Sequence, residues 1–224
     1  MIKITRKDTA LVQQAIAYLN EAKIKEKSYA GDVVVQALHE AFYSKCYLCE
    51  NRYPSAYHID HFKPKSKHPE LKYAWNNLFL ACSHCNMIKG SSDDELLDCN
   101  NDSVDEFISF RVNGVYRDKN YVCLQACQQD NNAVINKTIA LLNNIYRGTT
   151  TQNEFAAYNL RHNLADSLYC FNNLLEDYDS SEDDDKQDVA LAVKEELKDS
   201  APFAAFKRWL IRDNESYSCF LNDF

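Results

Sequence analysis

The sequence predicts a mainly helical chain that carries a small α+β insert, a ββα-metal unit with a four-cysteine zinc site flanked by helices. Three observations predict it. Apolar residues recur at helical spacing on both sides of the stretch from Cys46 to Gly90. That stretch opens with the pair Cys46 and Cys49 and closes with the pair Cys82 and Cys85, each pair with two residues between its members. Between the pairs lie two short extended pieces followed by a helix start.

Taken in order, Leu11, Ala15, Tyr18, Leu19 and Ala22 form one stripe, so a helix is expected over 8–23, with Asp8 or Thr9 as its cap. A second helix is expected from Asp32 to about Ser44, after the break at Gly31. Residues 1–45 therefore form a helical lead-in to a module at 46–92. Within the module, Ala56–Asp60 reads as a strand, 62–72 as a Pro- and Lys-containing loop, Asn77–Cys82 as a second strand, and Ser83 onward as a helix carrying Asn86 and Lys89. The remainder, 93–224, is expected to be mainly helical. Its exceptions are a turn-like SSDDELLDCNND stretch and a hairpin within Phe107–Tyr116, signalled by Asn113-Gly114. Helical stripes follow at Ile135, Ile139, Leu142 and Tyr146, with Gly148 as the stop; at Leu164, Leu168, Phe171 and Leu175; and at Val189, Val193 and Leu197. Pro202 opens a last helix with Phe203, Phe206 and Leu210 facing inward.

The 224 residues suit one domain, or one domain with a metal-folded insert. No apolar run approaches the roughly 18 residues that span a bilayer, and the N-terminal MIKITRKDTALVQQ lacks the apolar core of a signal peptide. A cytoplasmic location without membrane association is expected. In that reducing setting the paired cysteines favour metal over disulfides. The other five of the nine, Cys99, Cys123, Cys127, Cys170 and Cys219, show no second motif and read as small hydrophobes.

The net charge of −8 argues against polyanion binding until its distribution is considered. From Glu176 to Asp199 there are 11 acidic and 3 basic residues, so the rest of the chain is neutral overall. This acidic run, 176–188 above all, is expected as a solvated loop. Between Asn51 and Gly90 there are six basic residues against two acidic ones, a local balance suited to phosphate. Lys63, Lys65 and Lys89, with His58, are candidate nucleic-acid contacts.

The chemistry starts from the zinc. A ββα unit of this size buries too little surface to hold itself together. Four thiolates on one zinc would tie its ends, contributing on the order of 10 kcal/mol of folding free energy. The 32 residues between Cys49 and Cys82 exceed zinc-ribbon spacing, so the segment has room for a function. Phosphodiester hydrolysis needs a base, a cation and fixed geometry. Asp60 and Asn86 are hard oxygen donors suited to Mg²⁺ or Mn²⁺, and His61 can serve as the base on an attacking water.

This segment resembles the HNH, or His-Me finger, nucleases that carry two zinc-binding cysteine pairs. The pattern falls on Asp60-His61, Asn77-Leu78, Cys82-Ser-His-Cys85-Asn86 and Lys89. The resemblance implies that His61 is the general base, that Asp60 and Asn86 hold the catalytic metal, and that Asn77 pins the loop backbone to orient His61. It further implies a structural Zn²⁺ on the four cysteines and a nucleic-acid substrate, DNA or tRNA. The flanks are similar to the PtuB nucleases, HNH partners of the PtuA ATPase in Septu and retron-linked antiphage defence. The similar pieces are the N-terminal Met-Ile-Lys-Ile, the Tyr57-to-Lys65 run, Tyr73-Ala-Trp75-Asn-Asn-Leu78 and Pro202-Phe203-x-x-Phe206. That likeness implies a PtuA-like ATPase partner docked on the helical C-terminal half. The rival reading is a zinc-dependent module that binds nucleic acid or protein without catalysis, and a redox Cys-x-x-Cys enzyme stands behind it. His84, between two zinc ligands, is expected to be exposed; Tyr73 and Trp75 are expected to pack a small core.

Overall fold

The computed structural model describes residues 1–91, 95–128 and 132–224, and of the side chains of 183–184 nothing is said. The module's expected last residue, 92, lies outside the described residues. The chain opens with α1, Ala10–Ile24, where the Thr9 hydroxyl accepts the Val12 N–H and caps the first turn. Its neighbour α2, Asp32–Ala41, packs against it through Val34, Ala37 and Leu38, which are fully buried. Gly31 lies between them against the Tyr18 ring: a Cβ there would come within 2.4 Å of it and push the ring aside.

The insert follows as β1, Tyr57–His61, paired antiparallel with β2, Leu78–Cys82, and then α3, Ser83–Lys89. The register sets Asp60 opposite Phe79 and His61 opposite Leu78. Every residue of β2 is buried, and Phe79 meets Phe42, Tyr47 and Phe62 with ring centroids 4.8–5.5 Å apart. The Arg6 guanidinium lies over this aromatic floor, 4.5 Å from the Phe79 centroid, and donates to the Trp75 carbonyl. Burial lowers its pKa to about 10. Trp75 and Tyr73 do pack: Trp75 is buried, and the Tyr73 hydroxyl donates to the Lys27 carbonyl.

A single turn, α4 at Val104–Phe107, leads into β3, Ile108–Val112, which pairs antiparallel with β4, Val122–Ala126. The hairpin is therefore wider than Asn113-Gly114 suggested. Residues 113–121 form the connection, closed by Asn113 N–H on the Tyr121 carbonyl. The reason is burial: Val122 and Leu124 reach the core while Val115 is 65% exposed, so the chain turns back only after the Asp118–Asn120 turn.

Four α-helices follow, α5, Ala133–Arg147; α6, Thr151–Ser180; α7, Asp183–Leu197; and α8, Ala204–Arg212, and then a 3-10 segment, Glu215–Asp223. Gly148 ends α5 with φ 77°, where a Cβ would collide with the start of α6. The acidic run is not a loop. Helix α6 continues to Ser180, and α7 starts three residues later. Val193 and Leu197 in α7 are fully buried against Phe171 and Leu175 of α6, so one apolar face holds an otherwise charged helix in place. At 30 residues, about 45 Å long, α6 spans two cores. Leu160, Leu164 and Leu168 enter the main one, while Phe171 and Leu175 meet Ile211, Tyr217 and Phe220 in a smaller one.

The main core runs from Met1 to Phe206 and so embeds the insert between the helical flanks. Ions reinforce that joint. The Met1 ammonium pairs with the buried Glu50 carboxylate. Lys45, also buried, donates to the carbonyls of Asp199 and Ala201. Among the described residues, no helix is long and apolar enough to cross a membrane.

Candidate functional site

The two cysteine pairs meet. In the first, Glu50 N–H bonds to the Cys46 carbonyl and Cys46 N–H to the Asn51 carbonyl, a tight knuckle that puts Glu50 at φ 59°. The Tyr47 N–H on the Leu80 carbonyl ties this knuckle to β2. In the second, Cys82 caps α3, its sulfur accepting the Cys85 N–H at 3.4 Å. The four sulfurs all lie within 4.8 Å of one another and all four residues are buried. A tetrahedral zinc with Zn–S bonds of about 2.3 Å needs sulfurs about 3.8 Å apart, and Cys49 and Cys82 stand at 4.0 Å. The donor set and its spacing fit zinc. Among the described residues it is the one such cluster; Cys99 is buried elsewhere, and Cys127, Cys170 and Cys219 are exposed.

Beside this cluster, at the end of β1, lies a groove of about 320 Å³ whose walls include Tyr29, His58, Asp60, His61, Lys65 and Asn86. Asp60 and His61 end the strand back to back, as neighbours in a strand must, and each is held from its own side. Asp60 is 6% exposed. Its Oδ2 accepts the Tyr47 hydroxyl at 2.7 Å, and the Lys89 ammonium reaches Oδ2 at 3.0 Å and Oδ1 at 3.2 Å. Burial raises its pKa above the ordinary carboxylate value, against the pull of Lys89 and Tyr47.

His61 is fixed by its Nε2, 2.9 Å from the Lys72 carbonyl, and by the Tyr29 ring set edge-on at 4.7 Å. A carbonyl only accepts, so in the neutral ring Nε2 carries the hydrogen and Nδ1 keeps its lone pair. Burial lowers the pKa of His61, which favours that neutral form.

Asn77 sits between the strands' ends and closes the loop after His61. Its Oδ1 accepts the Lys63 N–H at 2.7 Å, its Nδ2 donates to the Lys63 carbonyl at 2.9 Å, and its own carbonyl accepts the Phe62 N–H. Asn86, one turn into α3, is half-buried, and its side-chain amide has no partner among the described residues. His58 is exposed and bonds Ser83 at 3.1 Å. Lys63 and Lys65 are exposed at the rim, with the Lys65 ammonium on the Tyr29 hydroxyl.

Lys89 departs from its expected place among the nucleic-acid contacts. Its ammonium is inaccessible to solvent, held by Asp60 and by the His61 carbonyl at 2.9 Å. It sits on the buried side of α3 because residues four apart on a helix share a face, and that face already carries the buried Cys85. His84 is also not exposed as expected; it is half-buried, and its Nε2 donates to the Ile145 carbonyl, docking α3 on α5.

Three contributors escaped the motif. Tyr47 lies between the cysteines of the first pair, where the zinc reading absorbed the whole segment. The Lys72 carbonyl has no side-chain signature. Tyr29 comes from the α1–α2 connection, distant in sequence, and gives no local signal. Residues 46–92 match the family model for the HNH endonucleases, described as "HNH endonuclease". No curated protein matches the chain.

Proposed function

We propose that this protein is a metal-dependent HNH endonuclease that hydrolyses phosphodiester bonds of nucleic acid, with His61 as general base. The observation that carries the reading is the bond from His61 Nε2 to the Lys72 carbonyl, which leaves Nδ1 to take a proton, in a groove shared with Asp60 and Asn86. A scaffold that only bound zinc would need no such set.

Asp60 and Asn86 would hold the catalytic cation, Mg²⁺ or Mn²⁺. Their state fits that role: the Asn86 amide has no partner among the described residues, and a carboxylate offers about four lone-pair positions, of which Tyr47 and Lys89 use three. A bound divalent cation would neutralise charge growing on the phosphoryl and leaving oxygens. The protein's own groups supply the rest. His61 Nδ1 accepts the proton of the attacking water. Tyr29 and the Lys72 carbonyl keep the imidazole from turning. Asn77, gripping Lys63 from both sides, fixes the loop that carries Lys63 and Lys65 as phosphate contacts. The cysteines hold the structural zinc.

The test is cleavage of plasmid DNA and of a bulk tRNA pool with Mg²⁺ or Mn²⁺, comparing wild type with His61→Ala. Loss of a general base lowers the rate about 10²- to 10⁴-fold, with zinc content and melting temperature unchanged. Equal cutting by the variant would sink the assignment.

The likeness of the flanks to the PtuB nucleases extends the reading to an antiphage effector working with a PtuA-like ATPase on the helical half. Two of the residues carrying that likeness, Phe203 and Phe206, are buried, so a partner would meet the outer faces of these helices and not those side chains. Failure to co-purify with such an ATPase would remove the extension and leave the nuclease standing.

A further inference from the structure

A second concavity, of about 290 Å³, lies on the other side of the His58–Ser83 hydrogen bond from the groove. Its size is at the lower end of small-ligand sites, about 300 Å³. One wall is the chain after the first zinc knuckle, with Tyr53 and Ser55; the other is the outer face of α6, with Asn159 and Asn163; Ser83 lies between. Three properties define what fits there. Among the described residues its lining contains no Lys, Arg, Asp or Glu, so it does not suit a phosphate. It is rich in amides and hydroxyls, and the Asn159 side chain has no partner among the described residues. Asn163, one turn further on the same face, meets Asn51 only at the outer limit of a hydrogen bond, 3.5 Å.

The third property is Tyr53. It is 76% exposed, on a left-handed backbone with φ 54°, and its N–H is held by the Tyr57 hydroxyl. The Arg52 guanidinium lies 6.0 Å from the centroid of the Tyr53 ring, and the exposed ring with the amides and hydroxyls beside it offers a surface to stack on and edges to pair with.

Resting on the nuclease reading, we propose that this pocket is a base-binding subsite. It receives an unpaired nucleobase next to the phosphate held in the groove, stacks it on Tyr53 and reads its edge with Asn159 and Asn163. The shared wall fixes the register, because His58 faces the groove and Ser83 faces the pocket. A base paired and stacked in a duplex enters only once it is extruded from the stack, at a cost in unpairing and unstacking. The subsite therefore favours a single strand or a loop, where that cost is absent. Amide side chains suit this work, since each presents a donor and an acceptor side by side.

The test measures binding of fluorescent short single strands, DNA and RNA of one sequence, and of the corresponding duplexes. The protein is the full chain in a His61→Ala background. Tyr53→Ala is expected to weaken single-strand binding about ten-fold and Tyr53→Phe to restore it, with duplex binding unchanged. The Asn159→Ala/Asn163→Ala double variant is expected to flatten the preference among strands differing at one base. Whichever strand shows the Tyr53 dependence names the sugar. Equal affinity for all variants, or no binding of any strand, would overturn the subsite. Tyr53-dependent binding beside equal cutting by wild type and His61→Ala would keep the subsite and sink the assignment of His61. Lost cutting in His61→Ala beside Tyr53-independent binding would do the reverse.

Discussion

The Lys89 ammonium lies 3.0 Å from Oδ2 of Asp60, and both side chains are buried. The pair joins the inner face of α3 to the last turn of β1, so the helix that carries Asn86 and the strand that carries Asp60 are locked at one spacing. Removing one partner of a buried pair strands the other charge, which costs about 3–5 kcal/mol. Lys89→Met is therefore expected to lower the urea midpoint well beyond an ordinary surface change. A variant as stable as wild type would show that the pair carries little.

Asn77 makes a two-sided bond with the backbone of Lys63. Asn77→Ala leaves the part-buried Lys63 N–H and carbonyl without that partner, at about 1 kcal/mol. It should also release the loop at 62–72, making that loop the first site of limited proteolysis. Asn77→Asp is expected to do much the same, because a carboxylate oxygen cannot donate to the Lys63 carbonyl. Unchanged proteolysis in both would separate Asn77 from the loop.

The four buried sulfurs predict one zinc per chain by metal analysis. Cys46→Ser or Cys82→Ser is expected to lose it and, with it, folding free energy on the order of 10 kcal/mol. Because the cluster shares a core with α2, α5 and α6, the loss should appear as a drop of the whole melting transition. Retained zinc and an unchanged transition would contradict this.

The C-terminal segment is tied to α6 by the Tyr217 hydroxyl, which donates to Asp179 at 2.7 Å. That bond raises the phenol pKa from 10.0 to about 12. A proton held more tightly in the folded state stabilises it fully below pH 10, and the contribution is lost as pH rises through about 12. The alkaline fall in stability should therefore be steeper in wild type than in Tyr217→Phe. Parallel curves would show that the bond is not maintained in solution.

The four-cysteine cluster and the order strand, loop, strand, helix are encoded within one short segment. Their signals are spacings along a single chain: two residues between the cysteines of each pair, Asp60 and His61 adjacent, a turn at Asn77. Local backbone geometry turns such spacings directly into shape. The hairpin was less legible, because Asn113-Gly114 marks where β3 ends but not where its partner begins. The acidic run misled for a related reason. Its net charge suggested solvent, while Val193 and Leu197 alone decided burial.

By itself, then, the sequence determined the two cysteine pairs, the adjacent Asp60 and His61, and the helical character of the flanks, all of which are properties of residues near one another in the chain. Only the tertiary structure decided that Lys89 is an internal counter-ion rather than a phosphate contact, that Tyr47 holds Asp60, and that Tyr29 packs on His61. It alone opened a neutral pocket between the knuckle and α6. These are meetings between elements far apart in sequence, fixed by how buried faces pack, and no local pattern encodes a partner that arrives from another helix.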